Sequence, residues 1–171
     1  MPKLNWKLLT KEPGSSTKGL PPGKEDLAWV TNTVTLLSGE RDAILVDTFL
    51  SVQHSEELVD WLIERILTAI YITHAHGDHF LGLKLLLDRF LNAKAFAAAS
   101  VVAGTQHQTD PDFIKSFWEP RFPVRVPSQL AVPKVLAGDT LYLDGEELKV
   151  IELAIPTPRI PPRCSYLPLA W

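Results

Sequence analysis

The stretch AIYITHAHGDHF, residues 69–80, decides how this chain is read. Its first five residues form a short apolar, β-branched run of the kind that makes a buried strand. The run leads straight into His74, His76, Asp78 and His79, four side chains able to hold a metal. Histidines two apart at the end of an extended segment project to the same side, so His74 and His76 can grip one cation. Gly77 is expected to let the backbone turn sharply without a Cβ penalty. Asp78 and His79 then project from that turn toward a second position nearby. Imidazole and carboxylate together suit zinc, and less exclusively iron or manganese. A plainer reading has Asp78 capping a helix that opens near Phe80, but it leaves the three histidines without a role.

Outward from this stretch the pattern is α/β. Residues 27–37, heavy in β-branched and aromatic types, read as a strand. A turn over 38–42 leads to a second strand, 43–46, that ends at Asp47, so the two form a hairpin. Residues 55–67 carry apolar side chains at helical spacing, with Ser55 as N-cap and Glu56 and Glu57 in the favourable first turn. Downstream, a helix is expected over 81–90, a short strand over 94–97, and helices over 101–108 and 112–118, with Pro111 opening the last. Residues 120–133 are a proline-rich crossing segment. A final hairpin turns about Asp144 and Gly145, the strongest short hairpin signal in the chain. Strands and helices in this order make an α/β arrangement with helices covering sheet faces.

Composition narrows the class of function. At 171 residues, with 46% hydrophobic and 22% charged residues, the chain can bury one real core and need not be disordered. A formal net charge of -3 gives no reason to expect nucleic acid or an anionic membrane as partner. The lone cysteine, Cys164, excludes an intramolecular disulfide. Residues 1–10 lack the apolar run of a signal peptide, and no apolar stretch is long enough to span a bilayer. These features predict a soluble, cytoplasmic protein.

The run His74-Ala75-His76-Gly77-Asp78-His79 resembles the HxHxDH signature of the metallo-β-lactamase superfamily. Its setting is similar too: a strand ending in Asp47, a helix, then the strand that leads into the motif. The likeness covers residues 27–153. It implies an αββα sandwich of which this chain holds the N-terminal portion, with the second half incomplete. It further implies one or two metal ions, most simply Zn2+, with His74 and His76 on the first and Asp78 and His79 on the second. Asp47 matches the family's strand-end aspartate and is carried over as a residue standing behind the ligands; an ordinary strand-ending aspartate is the equal alternative. The implied chemistry is hydrolysis of a small-molecule substrate, an ester, thioester or lactone-like compound, by metal-bound hydroxide, with Asp78 as the catalytic group that holds the water and receives its proton. Fold alone does not choose the substrate.

The resemblance breaks downstream. A complete member places a histidine in a Gly-His-Thr context after a late strand, then a bridging aspartate and a final histidine. Here the other histidines, His54 and His107, lie upstream of that place and read as surface or helix residues. Cys164, in a proline-rich tail, is a weak substitute. After residue 153 the sequence turns to AIPTPRIPPRCSYLPLAW, where Pro156, Pro158, Pro161, Pro162 and Pro168 deny both helix and central strand. One G inserted after the Leu153 codon converts GCC-ATA into GGC-CAT, which is Gly-His, and the next codon into ACC, which is Thr. Residues 154–171 therefore read either as an out-of-frame tail or as a genuine proline-rich terminus.

Three domain segments follow: an irregular lead-in over 1–26, a partial metallo-β-lactamase-like domain over 27–153, and the tail. Three functions remain open. One is a zinc-dependent hydrolase, weakly active or inactive as written. Another is a non-catalytic metal-binding remnant. The third is a metal-free interaction module, which leaves the histidine cluster unexplained. An unpaired sheet edge predicts self-association. Residues 106–133 are expected to cap the site, with Phe113, Phe117 and Trp118 lining a pocket or, alternatively, packing in the core.

Overall fold

The apolar runs at 42–46 and 66–72 become adjacent parallel strands because the helix between them carries the chain back across one face of the sheet. The computed structural model describes residues 4–11 and 30–153. The first residues of the strand expected at 27–37, the tail 154–171 and Cys164 lie outside the described residues.

One sheet runs in the order β1 (Asn5–Lys11), β2 (Asn32–Ser38), β3 (Asp42–Val46), β4 (Ile66–Ile72), β5 (Lys94–Ala97), β6 (Lys134–Val135). The β1–β2 and β2–β3 pairs are antiparallel, and β3 to β6 are mutually parallel. Helices α1 (Val52–Leu62), α2 (Leu83–Arg89) and α3 (Ala99–Gln108) link the parallel strands. After them α4 (Pro111–Phe113) continues through a π-helical turn, Ile114–Trp118, into α5 (Glu119–Arg121). A two-stranded hairpin of β7 (Thr140–Leu143) and β8 (Glu146–Lys149) completes the described chain.

The main core lies on one face of the sheet. There Val34, Leu36, Leu45, Ile70 and Ile72 pack with Leu58 and Leu62 of α1, Leu83 and Leu86 of α2, and Trp118 and Phe122. A smaller cluster on the other face joins Ile44 and Ala69 to Leu141 and Leu143 of the hairpin. The hairpin turn has Asp144 and Gly145 at φ 49° and 87°, the left-handed pair that the Asp-Gly signal demands. Its Asp144 carboxylate accepts from the backbone N–H of Arg41 (3.0 Å), which ties the hairpin to the β2–β3 turn. Gly39 permits that approach, since a Cβ there would sit 2.1 Å from Asp144 Oδ2.

Three expectations need correction. The lead-in over 1–26 is not wholly irregular: residues 5–11 form β1 and pair along the whole of β2. NWKLLTK alternates poorly because β1 is an edge strand held through its backbone, leaving Trp6 and Leu8 exposed. The helix expected over 55–67 runs from Val52 to Leu62, and its N-cap is Ser51, whose Oγ accepts from His54 N–H at 3.2 Å. Ser55 is buried within α1 instead. Ile66 and Leu67 matched helical spacing only because a continuous apolar strand also supplies apolar residues at those intervals. Residues 120–133 begin inside α5. The alternative reading of Asp78 as a helix cap also fails, since α2 has Gly82 as its N-cap. The short strand at 94–97 matches its expected bounds.

Candidate metal centre

In open α/β sheets, ligands sit beyond the carboxyl ends of parallel strands. Here β3 ends at Val46 and β4 at Ile72, side by side, and each delivers polar residues to that end. Asp47 follows β3, and Thr73 and His74 follow β4. His76, Asp78 and His79 come next, on a 3-10 turn over Gly77–His79.

Asp47 organises the group. It is 6% exposed and takes the left-handed conformation, φ 64°, which aspartate tolerates better than most residues. Its Oδ1 accepts from Thr73 N–H (2.8 Å) and its Oδ2 from the Thr73 hydroxyl (2.7 Å). His79 Nδ1 lies 3.1 Å from the same Oδ2. The Thr73 hydroxyl is in turn 2.8 Å from His74 Nδ1. Asp47, His74 and His79 offer ligand atoms that all lie within 4.8 Å of one another. The chemistry of the set fits a divalent cation, being imidazole nitrogen and carboxylate oxygen at one strand end.

The remaining motif residues flank this group. His76 is exposed, and its ring meets that of His74 edge-on with centroids 4.9 Å apart. The His74 and His79 rings are 4.0 Å apart. Asp78 is buried, with Oδ2 3.8 Å from His79 Nε2. The pairs assigned to separate positions, His74 with His76 and Asp78 with His79, are thus each adjacent, while Asp47 joins one member of each. His54 and His107 stand elsewhere: His54 packs its ring against Phe49, and His107 is exposed beside Phe113.

The turn is held from several directions. Asn32, buried at the start of β2, donates its side-chain N–H to the Asp78 carbonyl. The next carbonyl, that of His79, accepts from Thr48 N–H at 2.7 Å and from the Thr48 hydroxyl at 3.2 Å. Gly77 needs its lack of side chain for a reason other than backbone freedom. Its φ is not left-handed, but a Cβ there would stand 2.5 Å from Trp118 Cζ2. Trp118 is a core residue, 2% exposed, with Nε1 donating to Gln108 Oε1 at 2.9 Å, and it presses on the turn from the core side. Of the roles considered for it, packing is the one it has.

Burial pushes the His74 imidazole below its ordinary pKa, and the nearby His79 adds to the effect. Burial acts the same way on His79 and is the largest single influence there. The hydrogen bond and charge of Asp47, with the charge of Asp78, together outweigh it and raise His79 above its ordinary value.

Beside His74 a groove of about 620 Å³ opens between the sheet and the β7–β8 hairpin. Val46, Tyr71 and Val101 line it, with Lys149 and Glu152 among its charged residues. No residue of 106–133 lines this groove; Phe122 and Arg125 of that segment line a separate small pocket with Asn32 and Asp78. Thr73, Asn32 and Thr48 were not singled out in the sequence. A hydroxyl or amide directly beside, or far upstream of, a histidine motif carries no spacing signal of its own.

Adjacent parallel strands here present a His- and Asp-rich turn, a candidate metal site, at their carboxyl ends on an α/β fold. The family model described as Metallo-beta-lactamase superfamily matches residues 27–160, and the chain belongs to that superfamily. Over 62 residues it is 42% identical to a hydroxyacylglutathione hydrolase of Francisella tularensis subsp. tularensis, a match spanning 36% of this chain and 24% of that protein. The fold is similar to a metallo-beta-lactamase from Pontibacter korlensis, with a TM-score of 0.56 at 16% identity, over 87% of this chain and 59% of that one. It is similar also to a metallo-beta-lactamase family protein from Thermus thermophilus, with a TM-score of 0.53 at 24% identity, over 84% of this chain and 50% of that one. The chain thus spans about a quarter of the curated relative's length and between half and three-fifths of these structures. Among the described residues no helix is long and apolar enough to cross a membrane.

Proposed function

We propose that the chain carries the metal-binding front part of a hydrolase for ester, thioester or lactone-like substrates, with zinc as the ion. The observation that carries this reading is the gathering of Asp47, His74 and His79 within 4.8 Å at one strand end, with His76 and Asp78 alongside. His74, His76, Asp78 and His79 would hold one or two ions, with Asp47 behind them. When bound, such an ion makes water acidic enough to act as a nucleophile near neutral pH and polarises the bond under attack.

The chain's own residues do the rest. Burial keeps His74 neutral, so its lone pair is free to serve as a donor. Asp78, held through its carbonyl by Asn32, keeps a carboxylate beside His79 that can take a proton from the attacking water. The groove beside His74, apolar along Val46 and Tyr71, would receive the acyl part of a small substrate. The stretch that is 42% identical to a hydroxyacylglutathione hydrolase supports a thioester among the candidate bonds.

A second reading, a metal-binding protein with little catalysis, is favoured by the donor set itself. Among the described residues, neither His54 nor His107 joins the cluster. With few donors shared between two positions, metal would be held weakly and water activated poorly. We therefore expect the 171-residue chain to hydrolyse a hydroxyacyl-glutathione thioester slowly, below ~1 per second, and only when zinc is present. Hydrolysis that survives a chelator would remove the metal reading. Turnover of ~1 per second or faster would instead show that the chain needs no further ligands.

A further inference from the structure

The Thr73 hydroxyl stands between Asp47 and His74, and its geometry assigns the proton on the His74 ring. A hydroxyl has one hydrogen to give. Thr73 gives it to Asp47 Oδ2 at 2.7 Å, because the carboxylate has no proton with which to return the bond. The 2.8 Å contact from Thr73 Oγ1 to His74 Nδ1 must then be donated by the ring, so Nδ1 carries hydrogen and Nε2 carries the lone pair. His79 reaches the same state directly, its Nδ1 donating to Asp47 Oδ2 at 3.1 Å. One buried carboxylate therefore sets the tautomer of both histidines, His79 by contact and His74 through Thr73.

We propose that Thr73 is a positioning residue that extends the hold of Asp47 to His74, so that both rings keep Nε2 free for the same cationic ligand. The consequence for metal affinity rests on the metal reading given above; the assignment of the ring proton does not. Thr73 is exposed, so water competes for its hydroxyl. The effect on affinity then falls at the low end of what partners behind a metal ligand contribute, about 10-fold.

The test is Thr73→Val, which removes the hydroxyl. The Thr73 N–H bond to Asp47 Oδ1 is a backbone contact and survives the change. Thr73→Ser restores the hydroxyl, and Thr73→Ala serves if valine perturbs folding. Nitrogen NMR of the imidazoles is recorded on the metal-free full chain at about pH 9, where the rings are neutral. The wild-type protein and Thr73→Ser should show His74 with hydrogen on Nδ1. Thr73→Val and Thr73→Ala should move it to Nε2, the form favoured by a neutral histidine side chain in water, and leave His79 unchanged. Zinc affinity, measured by competition with a coloured chelator, should fall about 10-fold in Thr73→Val and recover in Thr73→Ser. An unchanged His74 tautomer in Thr73→Val, or equal zinc affinity in both variants and the wild type, overturns the proposal. A tautomer shift in a chain that takes up no zinc in any form upholds the role of Thr73 and removes the metal reading instead.

Discussion

On one face of the six-stranded sheet, Leu45, Ile70 and Ile72 lie under α1, α2 and the aromatic pair Trp118 and Phe122. On the other, among the described residues, Ile44 and Ala69 meet one hairpin, and beside it Val46 and Tyr71 line a groove of about 620 Å³. The same strands supply both faces, so strand composition does not explain the difference. Among the described residues cover does: helices return over one face after each parallel strand, whereas the β7–β8 hairpin reaches only part of the other. The ligand turn borrows its rigidity from the covered side, through Trp118 beneath Gly77, and presents His74 to the open side.

Substitutions can break or sharpen this contrast. Leu62→Ala, on the covered face, should cost about 2–5 kcal/mol of stability in denaturant unfolding, as deletion of a fully buried leucine does. Gly77→Ala should cost about 1–3 kcal/mol by forcing Trp118 away. Combining it with Trp118→Leu should cost less than the sum of the two single changes, if contact with Trp118 is the cause. Leu148→Ala, half-buried on the open face, should cost below ~1 kcal/mol. A loss at Leu148 equal to that at Leu62 would mean the two faces are covered alike. The smallest effect is on association. Trp6 and Leu8 are 67% and 52% exposed on the β1 edge, and sedimentation should show weak self-association that Trp6→Lys with Leu8→Lys abolishes. A monomer at every concentration would put the unpaired edge out of account.

Much of the candidate site could be read from residues 69–80, because the side chains that could hold a metal stand close together in sequence. The hairpin at Asp144 and Gly145 was equally legible, since few residue pairs accept two successive left-handed conformations. What escaped was set by tertiary contact. β1 is defined by its pairing with β2 and not by its own pattern. The limits of α1 depended on Ser51 rather than Ser55, two serines that propensity alone does not separate. Gly77 reads in sequence as the residue that lets the backbone turn sharply, yet it is a space left for a tryptophan that lies far along the chain. Thr73 joins a buried carboxylate to a histidine, a role visible only once β3 and β4 lie side by side.

The central claim is that His74 and His79, backed by Asp47, gather around one cation. Equilibrium dialysis of the purified chain against zinc tests it most directly, run beside His74→Ala and His79→Ala. The account predicts about one ion per wild-type chain, bound weakly, and more than the ~10–100-fold loss typical of an outer partner in either variant. No uptake by the wild-type chain, or uptake undiminished by both substitutions, would contradict it.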